Sequence, residues 1–314
     1  MPGQFEWVRD LRRSEWLRAM EAEPFGSILS VVPRGFQSYA RVFHPVERDR
    51  PRDTKTWRGV DESTHFDGVA DIGAALETEV TTWANAAASF GTAMHSEAQY
   101  ARLLPRDDGT AAMAIAPDGW RYAAPREGCI DAASLAAASA VLARHTGTPD
   151  AGIAAVWEGW GGLVSSAGVA RLTFEVSDGQ SARIADAGGE DGGDPEPGSG
   201  LLAREVATGS RFDLHGNTGR HYVLFEVGAN DLADRAWPER APWVDQPMWA
   251  QSPSIVWPED HSWVLATEID FDSTLVAGTT KLIQELVQMP GLEVLSIRTD
   301  ADLTSEGDRL NRSK

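Results

Sequence analysis

The chain has 314 residues, of which 42% are hydrophobic and 24% are charged, and these proportions are typical of folded globular proteins. A formal net charge of −19 at pH 7 would repel a phosphate backbone, so nucleic acid is not an expected partner. The single cysteine, Cys129, excludes an intramolecular disulfide and the cysteine-based zinc motifs. No stretch has the length and apolarity of a membrane span or a signal peptide. We therefore expect a cytoplasmic protein with no membrane partner.

The charge is unevenly distributed along the chain. Residues 1–58 carry eleven Lys or Arg against eight Asp or Glu, so the first part is mildly basic and the remainder is strongly acidic. The acidity has two interpretations: it maintains solubility, or it attracts a basic partner or a cationic ligand.

The N-terminal part combines a helix with strands. Apolar residues at helical spacing predict a helix over 14–22, which a proline and a glycine then end. Two runs rich in β-branched and aromatic residues, 27–32 and 38–46, predict strands. The intervening Pro33-Arg34-Gly35 has turn chemistry, so the pattern predicts a hairpin.

The central part reads as two helical regions and a strand. Apolar residues that step by three or four predict a helical region over 72–104. An Ala-rich helix over 131–144 has Asp131 as its expected N-cap, and a strand over 152–157 follows. Residues 186–200 are rich in Gly, Pro and acidic residues, so we expect a mobile loop.

The C-terminal part predicts a strand over 221–227 and an irregular, Trp- and Pro-rich segment over 231–251. A strand over 262–271, a helix over 279–288 and a strand over 292–297 then form a β-α-β unit, which predicts parallel neighbouring strands.

These elements together predict an α+β fold: a central mixed β-sheet with helices packed on at least one face and a C-terminal β-α-β unit. We expect an N-terminal α+β lobe over 1–185 and a C-terminal α+β lobe over 201–314 that shares its core. The flexible acidic Gly/Pro loop, 186–200, would separate them.

The string DFDSTL, Asp270 to Leu275, follows a predicted strand. It resembles the first motif of haloacid-dehalogenase-type phosphatases, in which the first Asp is the phosphoryl-accepting nucleophile and the second is an acid/base. The resemblance implies these roles for Asp270 and Asp272. It covers six residues, and too few residues follow Leu275 to supply the remaining strands of that fold.

Strand alternation would place the carboxylates of Glu268, Asp270 and Asp272 on one face of the predicted strand 262–271. Three like charges in a row must be exposed, paired with arginines, or bridged by a cation. Exposure or arginine pairing requires no cofactor, whereas the bridged alternative predicts Mg²⁺ or Ca²⁺, which prefer oxygen ligands.

The chain contains 12 tryptophans, several of them close together in sequence. They indicate either an aromatic core or an aromatic-walled ligand pocket with a few polar contacts. The residues predicted for the pocket are Trp157, Glu158, Trp160, Trp257, Asp260, His261 and Trp263.

Four segments (38–45, 154–162, 220–228 and 252–278) resemble a group of proteins from high-GC Gram-positive bacteria to which no activity is assigned. That resemblance implies an intact single-chain unit and no mechanism. The sequence lacks the nucleophile elbow of serine hydrolases and histidines at local metal-pair spacing. We therefore predict a non-enzymatic binding or interaction protein, immunity- or regulator-like, whose partner is a protein or a small molecule. The alternative is a metal-assisted hydrolase that uses Asp270 and Asp272.

Overall fold

A computed structural model of the chain describes residues 5–69, 71–105, 113–166, 196–216 and 219–312. Their strands form one sheet of eight strands and one of four, with helices packed beside them, so the predicted α+β class is confirmed. No helix within these ranges is long and apolar enough to cross a membrane.

The strands are numbered along the chain. They are β1 (Ser38–Phe43), β2 (Val46–Pro51), β3 (Leu76–Thr81), β4 (Met113–Ile115), β5 (Arg121–Ala123), β6 (Gly152–Trp157), β7 (Phe212–Asp213), β8 (His221–Glu226), β9 (Ile255–Pro258), β10 (Val264–Ala266), β11 (Ser273–Gly278) and β12 (Glu293–Ile297). The larger sheet has the order β12-β1-β11-β10-β9-β6-β8-β7, and the smaller has the order β3-β2-β5-β4. Each described pair of neighbours is antiparallel.

The helices are mostly short. They are α1 (Glu62–His65), α2 (Ile72–Ala75), α3 (Trp83–Phe90), α4 (Tyr100–Leu103), α5 (Ala132–Leu142), α6 (Arg204–Ala207), α7 (Ala229–Ala233) and α8 (Thr280–Val287). The 3₁₀ segments are Leu11–Ala22, Ile28–Ser30, Ala143–His145, Trp237–Glu239 and Pro247–Trp249.

Strand β6 lies inside the larger sheet and is buried on both faces. Ala154 and Val156 point into one core cluster, which also holds the apolar faces of α5 and α8. Ile153 and Ala155 point into the other cluster, which the 3₁₀ segment Leu11–Ala22 covers. A strand covered on both faces carries a continuous apolar run, which is why this strand was predicted with its observed bounds.

The mildly basic N-terminal segment is attached to the acidic body by ion pairs. Arg9 pairs with Glu205, and Arg13 pairs with Glu226 and Glu259. The backbone also contributes, since Glu226 donates its N–H to Glu6 at 2.8 Å. Much of the positive charge at this end of the chain is therefore matched within the protein.

The predicted hairpin over 27–46 is wrong. Ser27 caps a 3₁₀ turn, its Oγ accepting the Leu29 N–H at 3.2 Å, and the apolar side chains of Ile28 and Leu29 are buried under the larger sheet. Strand β1 pairs with β11 and β12 instead. The apolar run reflects burial of a turn, which β-propensity alone does not distinguish from a strand.

The predicted helical region over 72–104 is wrong between α2 and α3, where the chain forms the edge strand β3. Its acidic residues Glu77 and Glu79 pair across the small sheet with Arg50 and Arg48. Val80, one of the apolar residues whose spacing predicts this helical region, is 66% exposed. The segment also alternates Glu with Thr and Val at period two, and its pairing with β2 selects the strand.

The C-terminal β-α-β pattern has an intervening strand. The predicted strand 262–271 is confined to β10. Strand β11 was not predicted, whereas the helix α8 and the last strand β12 were predicted. Strands β11 and β12 run parallel to each other, yet each pairs with β1, which lies between them. They are therefore not neighbours, contrary to the prediction.

Two other segments match their predictions. Asp131 caps α5, its Oδ1 accepting the N–H groups of Ala133 and Ser134, and the 231–251 segment contains only short turns of helix. Most of the predicted acidic loop, up to residue 195, lies outside the described residues, and the division into two lobes stays a prediction. Strands from both predicted lobes do pair in the larger sheet.

Candidate functional site

The tryptophans predicted to wall a pocket belong largely to the core. Trp257 and Trp263 are each 1% exposed and lie in different core clusters, on opposite faces of the larger sheet. They cannot line one cavity together. Their burial corresponds to the aromatic-core interpretation.

The Trp157–Trp160 pair is half-buried and sits at one end of β6. The two rings meet edge to face at 5.4 Å, and the Trp157 Nε1–H donates to the Gly219 carbonyl at 2.7 Å. Glu158 accepts from the Arg211 guanidinium at 2.8 Å. The Trp157 indole and the Glu158 carboxylate are thus engaged in holding neighbouring loops, whereas the buried Trp160 Nε1–H has no hydrogen-bond partner among the described residues.

Asp260 and His261 belong to a third location, the turn between β9 and β10. Asp260 accepts the Thr146 hydroxyl at 2.8 Å and the Gly147 N–H at 2.7 Å. The His261 ring stacks on Trp16 at 4.3 Å. The seven residues predicted for the aromatic pocket therefore do not line one cavity, although Trp257 and His261 both pack against Trp16.

The carboxylates of Glu268, Asp270 and Asp272 do not form one row, because β10 ends at Ala266 and a turn follows. Glu268 and Asp270 both accept from Arg220 Nη2, at 2.5 and 2.7 Å. Asp272 instead faces Arg41, 3.3 Å away.

In the structure these carboxylates are paired with arginines, which is one of the three outcomes predicted for this row. Within the described ranges no group of three or more His, Cys, Asp or Glu is arranged to hold a metal ion. The alternative Mg²⁺ or Ca²⁺ site is therefore not assembled from these three carboxylates.

Arg41 is a buried cation on β1. It is 2% exposed and donates to the Ser273 hydroxyl at 2.8 Å and to the Ala98 carbonyl at 2.7 Å. Burial raises the pKa of Asp272, and the Arg41 charge opposes that rise. These groups form a structural ion pair, and Asp270 is engaged by a different arginine.

A groove of about 340 Å³ opens beside the Arg220–Glu268 pair. Its lining residues are Glu23, Phe25, Ser30, Val31, His215, Arg220, Glu268 and Phe271. We call it the Arg220 groove. One of the predicted metal or catalytic candidates, Glu268, lines it, and Asp270 accepts a hydrogen bond from the same arginine.

Three segments that are distant in sequence build the Arg220 groove. The N-terminal segment supplies Phe25 and Val31, the connection between β7 and β8 supplies His215 and Arg220, and the connection between β10 and β11 supplies Phe271. The β7–β8 connection is held by the Leu214 N–H, which donates to the Arg220 carbonyl at 3.0 Å.

The apolar wall of the groove includes one exposed ring. Phe25 is 70% exposed, whereas Phe271 is 9% exposed and Val31 is 7% exposed. The turn that carries Phe25 is fixed at both sides: Ser27 donates its N–H to Pro24 at 3.1 Å, and Leu303 donates its N–H to Gly26 at 2.8 Å.

The polar wall contains ionised and neutral hydrogen-bonding groups. Arg220 is 18% exposed and Glu268 is 12% exposed, so this pair is largely withdrawn from water, while Asp270 remains 62% exposed. Glu23 is held by Arg34 through two hydrogen bonds, of 2.5 and 2.9 Å.

Sequence reasoning named Glu268 and Asp270 and missed Arg220, Phe25 and His215. Arg220 precedes Glu268 by 48 residues, and only the pairing of strands across the sheet brings them together. The one available signal was charge: an acidic pair in a half-buried turn requires a cation, and the chain has 28 Lys and Arg against 47 Asp and Glu.

Comparison of the chain with protein-family models, with curated proteins and with solved structures finds no match. The resemblance to a group of bacterial proteins therefore stays a prediction.

Proposed function

We propose that this chain is a non-enzymatic binding or interaction protein, of the immunity or regulatory kind, and that it engages its partner at the Arg220 groove. The observation that carries the proposal is Phe25: a large apolar ring, 70% exposed, on a turn whose backbone is fixed by hydrogen bonds. Aromatic side chains in such positions are the usual anchors of protein interfaces. A fixed backbone reduces the ordering entropy lost on binding.

The alternative, a metal-assisted hydrolase, requires Asp270 and Asp272 to act at one reacting centre. Asp270 is paired with Arg220 and Asp272 with Arg41, so each carboxylate is held by its own cation. This separation favours the binding function. A reducing cytoplasm is the setting that we propose, because Cys129 is buried and unpaired.

Site-specific photo-crosslinking in the source cells tests the proposal. A photoreactive phenylalanine analogue replaces Phe25 in one variant and Leu310 in another, since Leu310 is 69% exposed and lines a different depression. We expect a discrete protein adduct from position 25 and none from position 310. The absence of an adduct at position 25, or the same adducts from both positions, would contradict the proposal.

A further inference from the structure

We infer that the Arg220 groove recognises a basic side chain, arginine or lysine, that a partner protein presents next to an apolar residue. This inference rests on the proposed binding function and adds the chemistry of the ligand. It follows from the charge of the groove, its exposed ring and its nearly buried apolar residues.

Carboxylates outnumber cations at the polar wall. Arg220 donates through one nitrogen, Nη2, to both Glu268 and Asp270, and the Glu23 charge is matched by Arg34. One negative charge thus remains in excess, and it is accessible because Asp270 is 62% exposed. A second cation can approach Asp270 without displacing Arg220, whereas an anion would meet the excess carboxylate. The net charge of −19 adds attraction for a basic partner at longer range.

The exposed face of Phe25 favours the same kind of ligand. A guanidinium or ammonium group is attracted to the face of an aromatic ring, and the aliphatic stem of Arg or Lys packs on apolar surface. Phe271 and Val31, both nearly buried, provide such surface at the base of the groove. The groove therefore combines a carboxylate for the head of a basic side chain with apolar walls for its stem and for a neighbouring apolar residue.

The recognition chemistry is tested with three ring compounds of matched shape: benzamidine, a cation; benzamide, neutral; and benzoate, an anion. Their dissociation constants are measured by chemical-shift titration of the full chain. We expect benzamidine alone to bind, and we expect Asp270→Asn to weaken it by about tenfold, a typical effect of losing a charge-assisted contact. Asp300→Asn is the matched control, because Asp300 is a comparably exposed carboxylate, 64%, paired with Arg298 elsewhere. Equal binding of the three compounds, or an equal effect of the two substitutions, would overturn the inference.

The protein origin of the basic group is tested by competition. Benzamidine in excess should suppress the adduct formed from the photoreactive residue at position 25. An adduct that persists would overturn the inference while the binding function stands, because the partner would then contact Phe25 without occupying the groove. Benzamidine binding without any protein adduct would overturn the assignment to a partner protein and the proposed function together.

Discussion

The buried histidine His44 makes the stability of this protein depend on pH in a range where carboxylates titrate little. His44 is 1% exposed and follows β1 directly. Its Nδ1 lies 2.6 Å from the Arg126 carbonyl and its Nε2 lies 2.9 Å from the Thr274 hydroxyl. A carbonyl only accepts, so Nδ1–H donates to it, and the Thr274 hydroxyl donates to Nε2. The neutral ring is fully satisfied in this arrangement.

Burial lowers the pKa of His44 from 6.5 to about 4. As the pH falls, the His44 ring therefore takes up a proton near pH 6.5 in the unfolded chain. In the folded protein it does so only near pH 4. The stability that His44 contributes is fully present above pH 6.5, the pKa of the ring in the unfolded chain. It is lost as the pH falls to about 4, the pKa of the ring in the folded protein. Each pKa unit corresponds to about 1.4 kcal/mol, so the full loss is about 3 kcal/mol, of which about 2 kcal/mol falls above pH 5.

Urea unfolding, followed by tryptophan fluorescence at about pH 7.5 and about pH 5, measures this loss. The His44→Gln variant is the comparison, because Gln offers a donor and an acceptor and does not titrate. The wild type should lose about 2 kcal/mol more than the variant between the two pH values. Equal losses in the two proteins would refute the reasoning, whatever the stability of the variant at the higher pH.

Two further predictions concern the core. Arg41→Met should lower the free energy of unfolding by about 3–5 kcal/mol, because the substitution leaves Asp272 without its cation and removes the donors that satisfy buried oxygens. A loss below about 1 kcal/mol would show that the ion pair is not structural. Trp257→Ala should cost about 3–5 kcal/mol, the usual effect of truncating a buried indole. Leu310→Ala, at an exposed position, is the control and should change the free energy of unfolding by less than about 0.5 kcal/mol. Similar calorimetric losses for Trp257→Ala and Leu310→Ala would contradict the core assignment of Trp257.

The parts of the fold that were predictable are those in which local signals and burial agree. Helix α5 begins after a capping Asp131 and consists of small and apolar residues, and β6 is apolar on both faces. Strand β3 was missed because Leu76 and Val80 are spaced by four residues, which is also the helical spacing, although the alternating glutamates pair with arginines of β2. When two periods fit one segment, the partner strand decides, and a single sequence does not contain that information.

The candidate site was predictable only in part, for a related reason. The sequence indicates that Glu268 and Asp270 are an unusual acidic pair, but it predicts them on one face of a strand. That strand, β10, ends at Ala266, before either residue. Phe25 and Arg220 come from segments that are distant in sequence from this turn and meet it only in the folded chain. Charge pairing predicted that arginines would be involved, and tertiary structure determined which ones.

The central claim, that the Arg220 groove is the binding surface, is tested most directly by the affinity of the purified partner recovered at position 25. Isothermal titration calorimetry with the wild type, Phe25→Ala and Leu310→Ala compares two side chains of equal exposure, 70% and 69%. Loss of an interface anchor should weaken binding by about tenfold or more for Phe25→Ala, and Leu310→Ala should leave the affinity unchanged. Equal affinities for all three proteins would contradict the assignment of the groove.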